Sequence, residues 1–186
     1  MRRWLLPALM MILLLGGCGD AAQEREMEAM KAALAAAEEI RAEADITANL
    51  GDERFQCSVV CRATAEQTGI ELTAPESIAG IRAVVSEDGM SIEYADVSLG
   101  LGSPGTDVAP VTALPILLTA LKRGGALRSW TERDAERTMI VREQYVTDET
   151  TLTVWLDASS LLPVHAEFLQ NGEVTLRCEI RDFSYR

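Results

Sequence analysis

From Ile40 onward the chain alternates. In "IRAEADITANL", Ile40, Ala42, Ala44, Ile46, Ala48 and Leu50 take turns with Arg41, Glu43, Asp45, Thr47 and Asn49. Period two over such a run makes one strand face apolar and the other polar, a half-buried strand. The pattern then repeats. "GDE" leads into a second run with Phe55, Cys57, Val59, Cys61 and Ala63 on its apolar face, and "GIELTAP" follows until Pro75 ends it. "IRAVV" and "MSIEYADVSLGL" flank Asp88-Gly89, a hairpin signal, and Asn171-Gly172 supplies another near the end. Between them read "ALRSWTE", "RTMIVREQYV", "TLTVWLD", "LPVHAEFL" and "EVTLRCEIRDF". Only two stretches have helical period. Met27, Met30, Leu34 and Ala37 predict an amphipathic helix from about Gln23 to Glu38. Leu114, Leu117, Leu118 and Leu121 predict a second, opened by Pro110 or Pro115 and ended by Gly124-Gly125. The class is α+β and mainly β: one antiparallel meander, with a helix before it and a helix in its middle.

The start of the chain has a different grammar. Arg2 and Arg3 precede an apolar run from Trp4 to Leu15, which is signal-peptide length and short of the ~20 residues needed to span a bilayer. It stops at Leu15-Gly16-Gly17-Cys18. That junction resembles the lipobox of bacterial lipoproteins, in which the cysteine is acylated and becomes the new N-terminus. The expectation is export, with Cys18 as a lipid anchor; two or more chains anchor durably where one is marginal.

Charge and context narrow the function. The chain carries 17 Lys and Arg against 29 Asp and Glu, a net charge of −12. Two of its few cations lie in the leader, so the remainder is more acidic still. Such a surface repels nucleic acid and anionic headgroups, which leaves the lipid as the means of membrane attachment. "GLGSPG" from Gly100 to Gly105 spells a dinucleotide fingerprint, but Pro104 sits inside it and Asp107 puts a negative charge where phosphate would lie. Outside the cytosol it reads as a glycine turn, and no cofactor is expected.

No catalytic constellation emerges. His165 is the only histidine and falls on the polar face of its strand beside Glu167, with no nucleophile or second metal ligand in view. Ser159-Ser160 lacks the glycines of a nucleophile elbow. The carboxylates scatter over polar strand faces, so neither an enzyme nor a metal site is expected. Trp130 and Trp155, with Phe55 and Phe168, have the size to line a ligand cavity. Cys57 and Cys61, four residues apart on one strand, lie about 13 Å apart and cannot bond each other. A disulfide would join Cys178 to Cys57 or to Cys61.

Three stretches carry a family resemblance: "GIELTAPESIAGI", "SPGTDVAPVTALPILLTAL" and "TLTVWLDASSLLPVHAEFLQNGEVTLRCEIRDFSY". They resemble the LolA-like lipoprotein carrier family, and most closely its lipid-anchored clostridial-type members. The resemblance implies an incomplete antiparallel barrel that wraps around helices and encloses an apolar cavity. It implies three segments: a signal peptide over 1–17, an anchored segment and helix over 18–39, and a half-barrel over 40–186. Phe55, Val59, Leu152, Val154, Leu156, Val164 and Phe168 would then face the cavity, with Thr153, Trp155, His165 and Glu167 outside. The Leu114–Leu121 helix would close the mouth as a lid. The expected function is non-enzymatic: a protein on the extracytoplasmic side of the cell membrane, tethered through Cys18, that binds a lipid or other acyl ligand. The alternative is an adaptor that holds an envelope partner, such as a peptidoglycan enzyme of the spore cortex in germination.

The anchor is checked by metabolic labelling with a fatty acid. Wild-type chain should take up label and the Cys18→Ala variant should not; equal labelling of the two would remove the lipobox reading.

Overall fold

The computed structural model describes residues 18–51, 53–95, 97–102 and 108–186, the side chains of 18–22 and 50 excepted. The leader therefore lies outside the described residues, as do the side chain of Cys18 and residues 103–107 of the glycine motif.

Helix α1 (Cys18–Ala36) is followed by six strands: β1 (Ile40–Leu50), β2 (Glu53–Ala63), β3 (Gln67–Ala74), β4 (Arg82–Ser86), β5 (Gly89–Tyr94) and β6 (Val97–Gly102). Helix α2 (Pro110–Arg123) then leads to β7 (Arg128–Arg133), β8 (Thr138–Tyr145), β9 (Thr150–Asp157), β10 (Pro163–Gln170) and β11 (Glu173–Tyr185). All the strands join one open antiparallel sheet in the order β6-β5-β4-β3-β2-β1-β11-β10-β9-β8-β7. Two local meanders thus meet where the first strand pairs with the last, Ile40 opposite Tyr185 and Ala48 opposite Leu176. The chain end secures this seam: Glu38 N–H donates to the Arg186 carbonyl at 2.7 Å, and the Arg186 guanidinium meets Glu39 at 2.8 Å.

The inner face is the one the alternation predicts. Ala42, Ala44, Ile46 and Ala48 of β1 and Cys57, Val59, Cys61 and Ala63 of β2 are buried, facing Phe168, Leu176 and Cys178 from the second meander. The alanines matter for what lies on them. Helix α2 packs against β1, β2 and α1, with Leu114, Leu117, Leu118 and Leu121 all buried. Short side chains on the sheet allow the helix axis to come close, and its leucines occupy the space that would otherwise be a void. The helix is therefore a plug inside the half-barrel, which corrects the expectation of a lid across its mouth. Pro110 starts it and Pro115 lies within it, while the Thr112 hydroxyl accepts from the Ala109 N–H at 2.8 Å. Met27, Met30 and Leu34 bring α1 into the same core, as their spacing predicts.

Gly100 and Gly102 lie in edge strand β6, paired with Ser91 and Met90, so these two glycines do not form a phosphate loop at a helix N-terminus.

The plug should be the most sensitive point of the core. Leu117, fully buried, is expected to cost about 2–5 kcal/mol as Leu117→Ala. Denaturant unfolding measures it, and a loss under about 1 kcal/mol would mean that the helix is not packed as described.

Candidate functional site

The residues expected to line a cavity are mostly core. Val59, Leu152, Val154, Leu156 and Phe168 are buried and packed together, with Phe55 half-buried against them. Val154 and Leu156 border only a void of about 20 Å³ between α1, α2 and the sheet, room for a single water at most. Val164 departs from the expected face. The pairing of β10 with β9 shifts between Pro163 and His165, so that Pro163 takes the place opposite Leu156 and is buried, while Val164 is half-buried outside the core cluster. Proline has no N–H to give the ladder, and the register slips beside it.

The cysteines are corrected too. Cys57, Cys61 and Cys178 are free and buried. Cys57 and Cys178 both pair with Ile46, one on each side of β1, so two strand spacings (about 10 Å) separate them, beyond the ~7 Å that a disulfide can bridge. Cys61 sits four residues further along, opposite Ala42.

The tryptophans belong to the outer face. Trp130 and Trp155 donate their indole N–H groups to the two oxygens of Glu132, at 2.7 and 2.9 Å, and between their strands lies fully buried Val141. The bond from Trp130, then that from Trp155, holds the Glu132 carboxyl below the usual range. Trp155 meets His165 edge-on at 4.8 Å, and His165 lies 2.9 Å from Glu179 and 3.5 Å from Glu167. These contacts position the ring between two carboxylates. Ser159 and Ser160 donate backbone N–H groups to Asp157 at 2.9 and 3.0 Å, and their hydroxyls bond the same carboxylate. The side-chain bond from Ser159 leads the causes that bring Asp157 to about 2. This is a turn rather than a nucleophile site.

The large open space lies on the other side of α2. A cleft of about 660 Å³ runs between that helix, the 124–127 connection, the end of β8 and Val85 of β4. Pro115, Ile116 and Ala120 form its helical wall, with Leu127, Tyr145 and Val146 facing them. Thr119 and Gln144 add polar groups, and Arg123 stands at the helix end. A volume of this size with a mainly apolar lining and few polar groups is what a small-molecule site requires. A second recess of about 340 Å³, between Ala48, Asn49 and the 147–150 turn, is more polar. Neither contains any of the seven residues expected to line a cavity. The signal for the first was nonetheless in the sequence: Val111, Pro115, Ile116 and Ala120 make α2 apolar behind its leucines, and a helix apolar on both sides has something to cover on each.

No protein-family model matches the chain, and no curated protein does. Solved structures do match. A DUF1329 family protein from Desulfovibrio piger aligns over 86% of this chain and 90% of its own, at 11% identity and a TM-score of 0.50. A chain in the complex of the CwlD amidase with the GerS lipoprotein of Clostridioides difficile aligns over 88% and 95%, at 10% identity and 0.50. A LolA superfamily protein from Nitrosomonas europaea aligns over 88% and 93%, at 13% identity and 0.45. At these identities the likeness is one of fold alone.

The thiols give a test of the packing. Burial, with Asp45 adding to it, pushes Cys57 from 9.0 up to about 11; burial takes Cys61 to about 12 and moves Cys178 the same way. A raised thiol pKa favours the folded, protonated state, so its contribution is full below about pH 9 and is lost as pH rises through 11 and 12. Native protein at pH 8 should leave all three unalkylated by iodoacetamide, and unfolding free energy should fall above pH 9. Modification of Cys178 in the folded state would contradict the described core.

Proposed function

We propose that this chain, with its LolA-like fold, is a non-enzymatic extracytoplasmic lipoprotein that takes an apolar ligand into the α2 cleft. In this reading residues 1–17 are the removed leader, 18–39 carry the anchor at Cys18 and the first helix, and 40–186 form the half-barrel. The observation that carries it is the cleft itself, about 660 Å³ and lined mainly by aliphatic and aromatic side chains. Water in such a space gains little from its walls, whereas an acyl chain removes apolar surface at about 25 cal/mol per Å². The cleft opens between the two wings of the sheet, where a ligand can enter without unfolding either meander. The tether suits a receiver or extractor working at one membrane better than a shuttle between two.

A second reading, an adaptor that holds an envelope enzyme, draws on a different feature. Edge strand β6 leaves Val97, Leu99 and Leu101 exposed, with Tyr94 beside them on β5. An apolar edge with unpaired backbone groups is a docking surface for another chain. The amidase–lipoprotein complex among the similar structures is a precedent for such a partner, shared at the level of fold.

Native mass spectrometry of the detergent-purified chain tests the first reading. Wild type should carry bound lipid in addition to its anchor. Ile116→Trp, which fills the cleft from the half-buried side of α2, should lose at least nine-tenths of it while melting within a few degrees of wild type. A wild type with no lipid beyond the anchor would leave the adaptor reading.

A further inference from the structure

Among the described residues, the acid-rich chain puts no acid into its cleft. Of the described residues lining it, Arg123 alone is charged, although Asp and Glu outnumber Lys and Arg by 29 to 17 over the chain. Arg123 has no carboxylate partner among the described residues, which it shares with Arg25, Arg54, Arg62, Arg133 and Arg142, but it is the one of these that borders the cleft. It is exposed, at the last residue of α2, where the apolar wall made by Ile116 and Ala120 ends. A second cation reaches the same corner from α1. A Cβ built on Gly124 would stand 3.1 Å from the Lys31 ammonium, which Glu28 holds at 3.4 Å. The cleft therefore has an apolar length and one cationic end.

Its volume limits what fits. At roughly 30 Å³ per methylene, about a water's share of the liquid, the cleft holds roughly twenty methylenes. That matches one long chain and its head.

We infer that the cleft selects a single-chain amphiphile with an anionic head, a fatty acid or a compound of that charge and shape, whose head is received by the Arg123 guanidinium. The inference rests on the ligand-binding reading above and adds the ligand's class to it. The guanidinium offers a planar fork that matches a carboxylate, and a charge-assisted bond of that kind is about twice as strong as a neutral one. Thr119 and Gln144 supply neutral hydrogen-bonding groups along the way.

The full chain, reconstituted in phosphatidylcholine vesicles, is illuminated with a diazirine-bearing palmitate and with its methyl ester, and crosslinked peptides are mapped. Wild type should crosslink the acid in peptides spanning 112–127 and 144–146. The acid-to-ester ratio there should fall about tenfold in Arg123→Gln and stay within about twofold in Arg123→Lys. Comparing variants cancels the different partitioning of the probes into the vesicle. Raising salt should also lower the wild-type ratio, since the head site is exposed, and this arm holds even if Arg123→Gln fails to fold. Equal crosslinking of acid and ester by wild type and variant, with no salt effect, overturns the anionic selection and leaves the apolar cleft standing. A lower melting temperature in Arg123→Gln with an unchanged ratio assigns Arg123 to the helix end alone and overturns it too. Absence of both probes from these peptides in wild type rejects the binding reading itself.

Discussion

The ladder between β1 and β11 is the bond on which the architecture depends. Each wing of the sheet is a run of hairpins whose partners are neighbours in sequence, and only this pairing joins the wings. It brings together residues 40–48 and 176–185, so its loop-closure cost is the largest of the strand pairings. Several contacts offset that cost. Ile46 and Cys178 meet on the inner face, Arg41 reaches Asp182 at 2.8 Å on the outer one, and the Arg186 backbone bonds Glu38 and Glu39 beyond the last rung. A register shift between Glu43 and Ala44 adds local bend and twist to the seam.

Joining the wings at their inner strands leaves β6 and β7 as the two outer edges, and the chain has to travel from one to the other. Helix α2 makes that crossing. Its 14 residues span about 21 Å at the α-helical rise, enough to bridge the half-barrel. The helix must therefore lie on the inner face, and the alanines of β1 let it settle there with its leucines down. Each buried leucine contributes about 1.5–3 kcal/mol of transfer free energy. The consequence for the site is direct. With the centre of the half-barrel filled by its plug, the cleft of about 660 Å³ lies on the far side of that helix.

Legibility followed the range of the interactions. The alternation of β1, the faces of β2 and the Asn171-Gly172 turn, with both residues at positive φ, depend on neighbours in sequence, and the letters were enough for them. What needed the order of strands was not readable. Cys57 and Cys178 share the inner face as the pattern implied, yet β1 stands between them, and periodicity does not say which strands are adjacent. Val164 obeyed alternation on paper, but the slip at Pro163 took it off the core. The helix was found by its leucines and then misplaced, because the same stripe suits a lid and a plug. The choice depends on whether the alanines opposite it are left as space or filled. Strand alternation does not reveal the cleft for a related reason: its main wall is the second face of a helix.

Net charge also misled if taken as a property of every part of the surface. A chain at −12 repels anionic membranes at long range, and that argument concerns approach and solubility. A bound head group feels mainly what lies within a Debye length, about 8 Å at physiological salt. Near the cleft, among the described residues, that neighbourhood contains Arg123 without a carboxylate partner, and Lys31, paired with Glu28, on the adjoining helix. The outer face has the opposite composition, with Glu132, Glu167 and Glu179 around Trp155 and His165. Acidic residues on alternating polar positions of a sheet point outward by construction, whereas the helix end that borders the cleft favours cations because its free carbonyls are partially negative. The two rules of secondary structure are enough to give an acidic protein a cationic corner beside an apolar cleft.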